Sequence, residues 1–378
     1  MWLFFILGGE EKMSYSVILP SWSVGTDSYK EVFGIVSLLG KKAAVIGGET
    51  AMEKAYGFLK EALANEDFEI TEPIVYGKNS TFDNVNRLAS MDEVKNADMI
   101  FGMGGGRAID TCKAVADKVN KPLFTFPTLA SNCAPITAIG VIYNNDGTLN
   151  SYHYPKRCPY HTFINTRVVA EAPTELFWAG IGDALSKLAE VELATRNEKL
   201  FHTTLLGAQL AHSCTDPLIE FGEKAMEQVK ANKVGYEMEQ VALAIIISTG
   251  LVSNLTVDPK DYYYNSSLAH CVYNGSTLIP ESGGKHLHGE IVSYGVLTLL
   301  TYDKQYEERE RIMKFNRSIG LPITLGEIGL LESNLQTIAD KAETLLEWEK
   351  APYKITKENF IKAMLDADKA GKDFIAAE

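Results

Sequence analysis

The chain has 378 residues, of which 46% are hydrophobic and 22% charged, and its formal net charge is −13. This length suits two domains, because single cores rarely grow past about 250–300 residues, and the composition is that of a globular protein. The negative charge argues against nucleic acid or an anionic membrane as a partner, since phosphate binding needs clustered lysine and arginine. Five cysteines without a CxxC pair indicate reduced thiols, as in a cytoplasmic enzyme or binding protein.

The chain opens with the apolar run MWLFFILGG. This run is too short to span a bilayer, and it lacks the basic region that precedes the apolar core of a signal peptide. We therefore interpret residues 1–13 as a non-native or disordered extension, with Met13 as a candidate natural start.

Residues 14–172 alternate short β-rich runs with helical patterns, which predicts an α/β domain. The predicted strands include KAAVIG (Lys42–Gly47), ITEPIVYG (Ile70–Gly77), ADMIFGMGGG (Ala97–Gly106) and PLFTFP. Helical stretches such as TAMEKAYGFLKEALA and AIDTCKAVADKV separate these strands. Such alternation implies a parallel, Rossmann-like sheet with crossover helices. We expect the less regular runs AIGVIYN and YHTFINT to complete that sheet.

From about Thr174 the strand signals vanish, and helical patterns with a period of 3.6 residues continue to the C-terminus. Examples are QVALAIIISTGLVSNL and ADKAETLLEWEK. We place a boundary between the α/β domain, residues 14–172, and an all-helical domain, residues 173–378. A cleft between two such domains is the usual place for a ligand.

The segment GMGGGRAID (Gly102–Asp110) joins a predicted buried strand to a helix. Glycine allows backbone N–H groups to approach a phosphate, and a helix N-terminus favours its negative charge. Arg107 offers an additional charge-assisted contact. The segment is neither GxGxxG nor a Walker loop, and glycine-rich turns also serve tight packing, so both interpretations remain open. We interpret Asp110 as a first-turn residue favoured by the helix dipole.

Three polar residues of the helical half form a candidate metal site. Asp183 lies near the expected start of an apolar helix in WAGIGDALSKLAE, and His270 and His288 flank a glycine-rich break in LAHCVYNGSTLIPESGGKHLHGE. Taken singly, the aspartate suits an N-cap and each histidine suits a core position. Together they offer three ligands and an open position, as in a catalytic zinc site. Spacing alone leaves these alternatives open.

Five motifs carry a resemblance to a known family: GMGGGRAIDTCKAVAD, FPTLASNCAPITA, GIGDALSKLAE, LAHCVYNG and HLHGEIVSYG. From about Ser14 to Phe374 the chain resembles the glycerol-dehydrogenase-like branch of the iron-containing alcohol dehydrogenase superfamily. The resemblance implies a nucleotide-binding α/β domain, a helical metal-binding domain and NAD(P)-linked alcohol oxidation in the cleft between them. It also implies that Asp183, His270 and His288 bind one divalent ion and act in catalysis through it.

One departure within the superfamily concerns the metal. Iron-type members carry a further histidine one turn after the aspartate, where this chain has Lys187. Three ligands resemble the zinc-type glycerol dehydrogenases, so zinc is the expected ion, with iron or nickel as alternatives. His286 lies off the pattern, and we interpret it as a surface residue or as a support for a ligand.

A second departure concerns the nucleotide. NAD-preferring relatives have an aspartate that binds the adenosine ribose where this chain has Gly48, so NADP becomes an alternative to NAD. Glu49 replaces that aspartate if the turn is shifted by one residue; a tight turn without influence on the cofactor is the other alternative. The resemblance assigns further cofactor contacts to Gly104, Gly105, Gly106, Arg107, Asp110, Thr125, Thr128, Leu129, Thr137, Ile139 and Tyr143.

A third departure concerns the substrate. Glycerol dehydrogenases have an aspartate that helps to bind polyol hydroxyls where this chain has Cys133. A thiol removes both an acceptor and a negative charge, which favours an anionic 2-oxo acid, and branch members that reduce 2-oxo carboxylates look similar here. Simple packing of Cys133 is the alternative, since free cysteine behaves as a small hydrophobe.

We therefore expect a metal-dependent NAD(P)-linked oxidoreductase acting on the CH–OH group of a small alcohol, polyol or 2-hydroxy acid. A plain NAD-dependent glycerol dehydrogenase is the first alternative. A dehydroquinate-synthase-like lyase is disfavoured because lysines do not cluster near the metal motifs, and a non-catalytic nucleotide sensor is disfavoured by the intact ligand set. The expected partner is a small alcohol or 2-oxo acid, without nucleic acid or membrane, and we expect a homo-oligomer.

Overall fold

The computed structural model describes residues 16–258, 262–349, 351 and 353–378. The extension proposed for residues 1–13 lies outside these ranges. The strands are β1 (Ser21–Gly25), β2 (Lys42–Gly47), β3 (Glu69–Ile70), β4 (Ile74–Val75), β5 (Met99–Gly104), β6 (Leu123–Pro127), β7 (Gly140–Tyr143), β8 (Leu149–His153), β9 (His161–Asn165), β10 (Val257–Asp258) and β11 (Tyr262–Tyr263).

The helices of the N-terminal half are short and alternate with the strands. They are α1 (Val32–Val36), α2 (Glu49–Ala62), α3 (Phe82–Ser90), α4 (Asp92–Asn96), α5 (Gly106–Val119) and α6 (Thr166–Ala170). The remaining helices are α7 (Thr174–Ala184), α8 (Ser186–Thr195), α9 (His202–Leu210), α10 (His212–Lys230), α11 (Tyr236–Leu243), α12 (Thr249–Thr256), α13 (Leu268–Ser276), α14 (His288–Tyr302), α15 (Tyr306–Ile319), α16 (Leu335–Ala342), α17 (Leu346–Glu349) and α18 (Lys357–Ala377). Short 3-10 turns occupy Ser28–Glu31, Gly326–Ile328 and Glu332–Asn334, and Ala244–Ser248 forms a π-helical turn.

A parallel sheet of seven strands organises the N-terminal half. Its order is β1-β9-β6-β5-β2-β3, and β4 also pairs with β2. Alternate residues of the central strands enter two different cores, as the two-residue period of a strand requires. Val45 and Phe101 pack with α2 on one face, whereas Ile46 and Ile100 pack with α3 and α5 on the other. The predicted fold class, a parallel α/β half followed by a helical half, is confirmed.

The prediction for the run AIGVIYN was wrong in one respect. This run forms β7, but β7 pairs antiparallel with β8 in a hairpin outside the main sheet. The intervening NNDGT segment explains the hairpin, because Gly147 has a φ of +89° and Asn144 donates its N–H to the carbonyl oxygen of Thr148. Turns of this kind join strands that pair antiparallel. The run YHTFINT forms β9 and lies in the sheet as expected, while β1 was not predicted.

The helical half packs around α14, whose residues from Ile291 to Thr301 are all buried. One described helix, the continuous segment Tyr236–Thr256, has the length and apolar composition that could cross a membrane. The protein buries 67% of its apolar window, as expected for a core helix. The boundary near residues 171–174 falls between α6 and α7 and stays a prediction.

Three helices of this half approach one another at glycine residues. A Cβ on Gly289 of α14 would lie 1.7 Å from the carbonyl oxygen of Ala179 in α7, and one on Gly182 of α7 would lie 2.3 Å from the carbonyl oxygen of Gly289. Further along α14, a Cβ on Gly295 would lie 2.4 Å from the carbonyl oxygen of Ala269 in α13. The backbones of α7, α13 and α14 therefore touch, which only glycine allows.

We predict that Gly289→Ala destabilises the protein by about 1–3 kcal/mol, the usual cost of forcing extra atoms into a packed core. The added methyl group has to push α14 away from α7. Thermal unfolding and metal affinity measure the effect, and both are expected to fall. Gly57→Ala is the matched control, because no atom lies within 4 Å of the added Cβ and alanine favours a helix interior. Equal stability of the two variants would contradict this account.

Candidate metal and nucleotide site

The structure brings the three candidate metal ligands together from three helices. Asp183 is the penultimate residue of α7, His270 lies in the first turn of α13, and His288 is the first residue of α14. Asp183 Oδ1 lies 3.0 Å from His288 Nε2 and 3.6 Å from His270 Nε2. One donor atom from each residue lies within 4.8 Å of the others. Because Asp183 ends its helix, the N-cap alternative was wrong.

A carboxylate outside this cluster orients His270. Oε2 of Glu190 accepts a hydrogen bond from His270 Nδ1 at 2.8 Å, and its Oε1 accepts from the backbone N–H groups of Ser267 and His270. A carboxylate only accepts, so Nδ1 carries a proton and Nε2, which faces Asp183, is the nitrogen that would bind an ion. This arrangement is the carboxylate–histidine support found behind metal ligands, and the donor set fits a divalent transition metal.

Both carboxylates of this region are held ionised despite their burial. Burial alone would raise the pKa of Asp183, but His288 and His270 outweigh it and lower that pKa well below its usual range. Burial also opposes ionisation of Glu190, and His270 again outweighs it, so the pKa of Glu190 is lowered. Two buried negative charges beside two imidazoles form an environment that stabilises a cation.

The remaining histidines and tyrosines of this region frame the cluster. The Tyr273 ring meets the His288 ring edge-on at 4.1 Å, and burial is the main reason that the pKa of Tyr273 rises to about 12. Its hydroxyl therefore stays protonated at neutral pH. His286 does not join the ligands; its Nδ1 lies 2.9 Å from Glu290 Oε1, which agrees with the supporting or surface position expected for it.

The glycine turn lies between β5 and α5. Gly104 has a φ of +146°, and Gly105 caps α5 without a side-chain hydrogen bond. The first turn of α5 contains no acidic residue, so its N-terminus is free of negative charge. The exposed Arg107 guanidinium lies 5.3 Å from the centre of the Tyr143 ring. The turn has the features that favour a phosphate.

Three of the predicted cofactor contacts form hydrogen bonds within the protein. The buried Lys113 ammonium lies 3.0 Å from Asp110 Oδ1, 3.0 Å from Thr137 Oγ1 and 2.5 Å from the carbonyl oxygen of Ile139. Asp110 Oδ2 also accepts from the N–H of Val141. These bonds fasten the loop before β7 to α5.

Thr125 also forms a hydrogen bond within the protein. Its side chain is fully buried, and its hydroxyl donates to the carbonyl oxygen of Pro135 at 2.7 Å. Thr128 and Leu129 lie nearer the glycine turn. The N–H of Thr128 donates to the carbonyl oxygen of Gly104, and a Cβ on Gly105 would lie 3.3 Å from Leu129 Cδ2.

At the end of β2, Gly48 is the N-cap of α2 and Glu49 is its first residue. Gly48 has a φ of −77°, and a Cβ there would have no neighbour nearer than 3.7 Å. Any side chain therefore fits at this position. The exposed Glu49 presents its carboxylate at the helix N-terminus, so it stays a candidate for the ribose contact.

Cys133 lies in the loop between β6 and β7, where it contacts the helical half. Its Sγ is 4.0 Å from Ser253 Oγ in α12, and Ser253 donates to Asn265 Oδ1 at 2.6 Å. The buried Lys187 donates to the same Oδ1 at 2.7 Å and to the backbone carbonyl oxygen of Asn265 at 2.9 Å. A chain of hydrogen bonds thus runs from Cys133, in the loop after β6, to Lys187 in α8.

Comparison with known proteins agrees with this architecture. A family model described as iron-containing alcohol dehydrogenase matches residues 20–166. Glycolaldehyde reductase of Halobacterium salinarum is 31% identical over 88% of this chain and 91% of its own length. Glycerol dehydrogenase of Thermotoga maritima is 33% identical over 79% and 82%. Hydroxycarboxylate dehydrogenase A of Escherichia coli is 29% identical over 82% of each.

A crystal structure of a probable glycerol dehydrogenase from Sinorhizobium meliloti is also similar. It superposes with a TM-score of 0.81 at 26% identity, over 95% of this chain and 99% of that chain. The chain belongs to the iron-containing alcohol dehydrogenase family. The predicted family, its glycerol-dehydrogenase-like branch and the oxidoreductase class are confirmed, with a divalent metal and NAD(H) as cofactors.

Sequence reasoning missed four residues that support the site: Lys113, Glu190, Ser253 and Asn265. Glu190 and Lys113 are charged residues within apolar helical patterns, seven residues after Asp183 and three after Asp110. A charge on a buried helix face requires a partner, which was the available signal. Ser253 and Asn265 gave none, because their roles arise from contacts between distant segments.

We predict that His270→Ala lowers metal content and reduces turnover at least about 100-fold, since even the outer partners of metal ligands cost 10- to 100-fold when removed. Nucleotide binding should persist, because the glycine turn lies on separate elements. Metal analysis, steady-state kinetics and NADH fluorescence titration measure the three quantities. His286→Ala, which removes a nearby histidine outside the cluster, is the matched control and should retain metal. Full activity of a metal-stripped enzyme would refute the ligand assignment.

Proposed function

We propose that the protein interconverts small 2-oxo acids and 2-hydroxy acids, using Asp183, His270 and His288 to hold one divalent ion. The observation that carries this substrate class is Cys133, which stands in the cleft loop where the family resemblance places a polyol-binding aspartate. The similarity to hydroxycarboxylate dehydrogenase A supports it. We further propose zinc as the ion, a cytoplasmic location and a homo-oligomeric assembly.

The proposed roles of the residues follow from their positions. An ion held by Asp183, His270 and His288 would supply Lewis-acid polarisation of the substrate oxygen, and a nicotinamide nucleotide held at the N-terminus of α5 would supply or accept the hydride. Glu190 keeps the tautomer of His270 that leaves Nε2 free. The N-terminus of α5, with Gly104, Gly105, Gly106 and Arg107, would bind the pyrophosphate, and Thr128, Leu129 and Tyr143 would contact the rest of the nucleotide. Lys113, Asp110, Thr137, Ile139 and Thr125 would hold the loop between β6 and β7 in shape.

A glycerol or glycolaldehyde enzyme is the second candidate, and the relatives with those activities favour it. The two candidate activities require different side chains at position 133. A carboxylate at position 133 would accept hydrogen bonds from a polyol and repel a 2-oxo acid, whereas a thiol does neither. Kinetics on matched substrates therefore decide between them.

We predict that small 2-oxo acids are reduced with a higher kcat/KM than glycerol is oxidised. Cys133→Asp should shift that ratio toward polyols by about one to two orders of magnitude, the worth of a hydrogen bond to a charged group. The measurement is a panel of pyruvate, glyoxylate, glycerol and glycolaldehyde with the zinc-loaded enzyme. Cys133→Ser, a neutral replacement of similar size, is the control. If the wild type prefers glycerol over every 2-oxo acid, the proposal is wrong and the protein is a glycerol dehydrogenase.

We predict that NADP(H) supports turnover at least comparably with NAD(H), because no aspartate stands at position 48 to repel a 2′-phosphate. Gly48→Asp should shift the preference toward NAD(H) by restoring a ribose acceptor. The variant is expected to fold normally, since its Cβ meets no close neighbour. Strong rejection of NADP(H) by the wild type would identify Glu49 as the discriminating residue, and Glu49→Gln would then relax that rejection.

A further inference from the structure

Lys187 is a buried cation whose function the preceding sections leave unexplained. It lies one turn after Asp183 on the same side of the α7–α8 segment, and its side chain is about 94% buried, with 6% relative exposure for the residue. Burying an ammonium group is costly unless a negative group compensates it. A lysine at this position therefore requires an explanation beyond packing.

The hydrogen bonds of Lys187 are incomplete for an ammonium group. Its two acceptors, the backbone oxygen and Oδ1 of Asn265, are both neutral. An ammonium has three N–H donors, so one remains available. Within the described residues, Lys187 forms no ion pair with any carboxylate. Lys113, which is equally buried, illustrates the contrast because it pairs with Asp110 at 3.0 Å.

The balance of charges around the candidate ligands also leaves the positive charge of Lys187 uncompensated. Asp183 and Glu190 together match the charge of one divalent ion, while His270 and His288 contribute no charge as ligands. Lys187 adds a positive charge close enough to act on Glu190. Among the described residues, Lys187 thus carries a positive charge one helical turn from Asp183 with no carboxylate in contact with it.

We propose that Lys187 binds the carboxylate of the substrate and so selects anionic 2-oxo acids over neutral carbonyl compounds. This inference rests on the proposed function and adds the residue that performs the selection. The hydrogen-bonded chain from Lys187 through Asn265 and Ser253 ends at Cys133, and so connects the two residues to which we assign substrate selection. A thiol at position 133 leaves the Lys187 charge available, whereas an aspartate there would compete with the substrate for it.

The decisive test compares substrates that differ only in charge. Pyruvate is paired with hydroxyacetone, and glyoxylate with glycolaldehyde. Lys187→Met should lower kcat/KM for the two acids by about one to two orders of magnitude, mainly through KM, because a charge-assisted contact is lost. The neutral partners should change by less than about threefold, within the range expected when no contact is removed. An equal loss for acids and neutral compounds would overturn the proposal.

A binding measurement separates recognition from turnover. Oxamate, which resembles a 2-oxo acid but is not reduced, is titrated into the zinc-loaded enzyme with NADH, and fluorescence reports its Kd. Lys187→Met should weaken oxamate binding by the same factor as the acid kcat/KM. Unchanged oxamate affinity would refute the role of Lys187, whatever the kinetics show.

Two further variants control for folding. Lys113→Met removes an equally buried lysine and should leave the ratio of acid to neutral kcat/KM unchanged. Lys187→Gln keeps a polar group and replaces the Met variant if that protein loses zinc or melts early. If the wild type reduces no 2-oxo acid and does not bind oxamate, the proposed function fails. If it does both and the Lys187 variants keep the acid preference, only this inference fails.

Discussion

Close backbone contact among α7, α13 and α14 is the constraint on which the site depends, because each of these helices carries one candidate ligand. Gly182 and Gly289 let α7 and α14 touch, and Gly295 lets α14 touch α13. Larger residues would separate the helix axes and spread three donor atoms that now lie within 4.8 Å of one another. The packing of the helical core therefore also sets the geometry of the candidate metal site.

The electrostatics of the site follow from the same packing. Glu190 is fully buried, whereas the side chains of Asp183 and His288 are 17% and 41% exposed, and both carboxylates lie beside imidazoles. Glu190 also uses its second oxygen to bond the start of α13, so a single carboxylate sets both the orientation of His270 and the position of its helix. Glu190 therefore serves both the packing of α13 and the orientation of a candidate ligand, as residues behind metal ligands commonly do.

Hydrogen bonds and close backbone contacts also join the two halves. The side chain of Asn254 in α12 accepts from the N–H of Ala138 and donates to the carbonyl oxygen of Ile136. Gly180 and Gly250 allow α7 and α12 to approach the same loop, and Ile136 belongs to the helical core. The loop that follows β6 is thus built into the helical half while it borders the glycine turn.

Local sequence determined the elements whose signals are local. The apolar runs of β2 and β5, the glycines before α5 and the helical periodicity after Thr174 all predicted what the structure contains. The family resemblance grouped Asp183, His270 and His288, and the structure brings one donor atom of each within 4.8 Å of the others. The hairpin of β7 and β8 was misassigned because a strand pattern does not reveal its partner. Several contacts join residues that are far apart in sequence. They are the bond between Glu190 and His270, the bonds of Lys113 to the loop before β7, and the hydrogen-bonded chain from Cys133 to Lys187. Only the tertiary structure decided them, because burial turns an unremarkable charge into one that must find a partner.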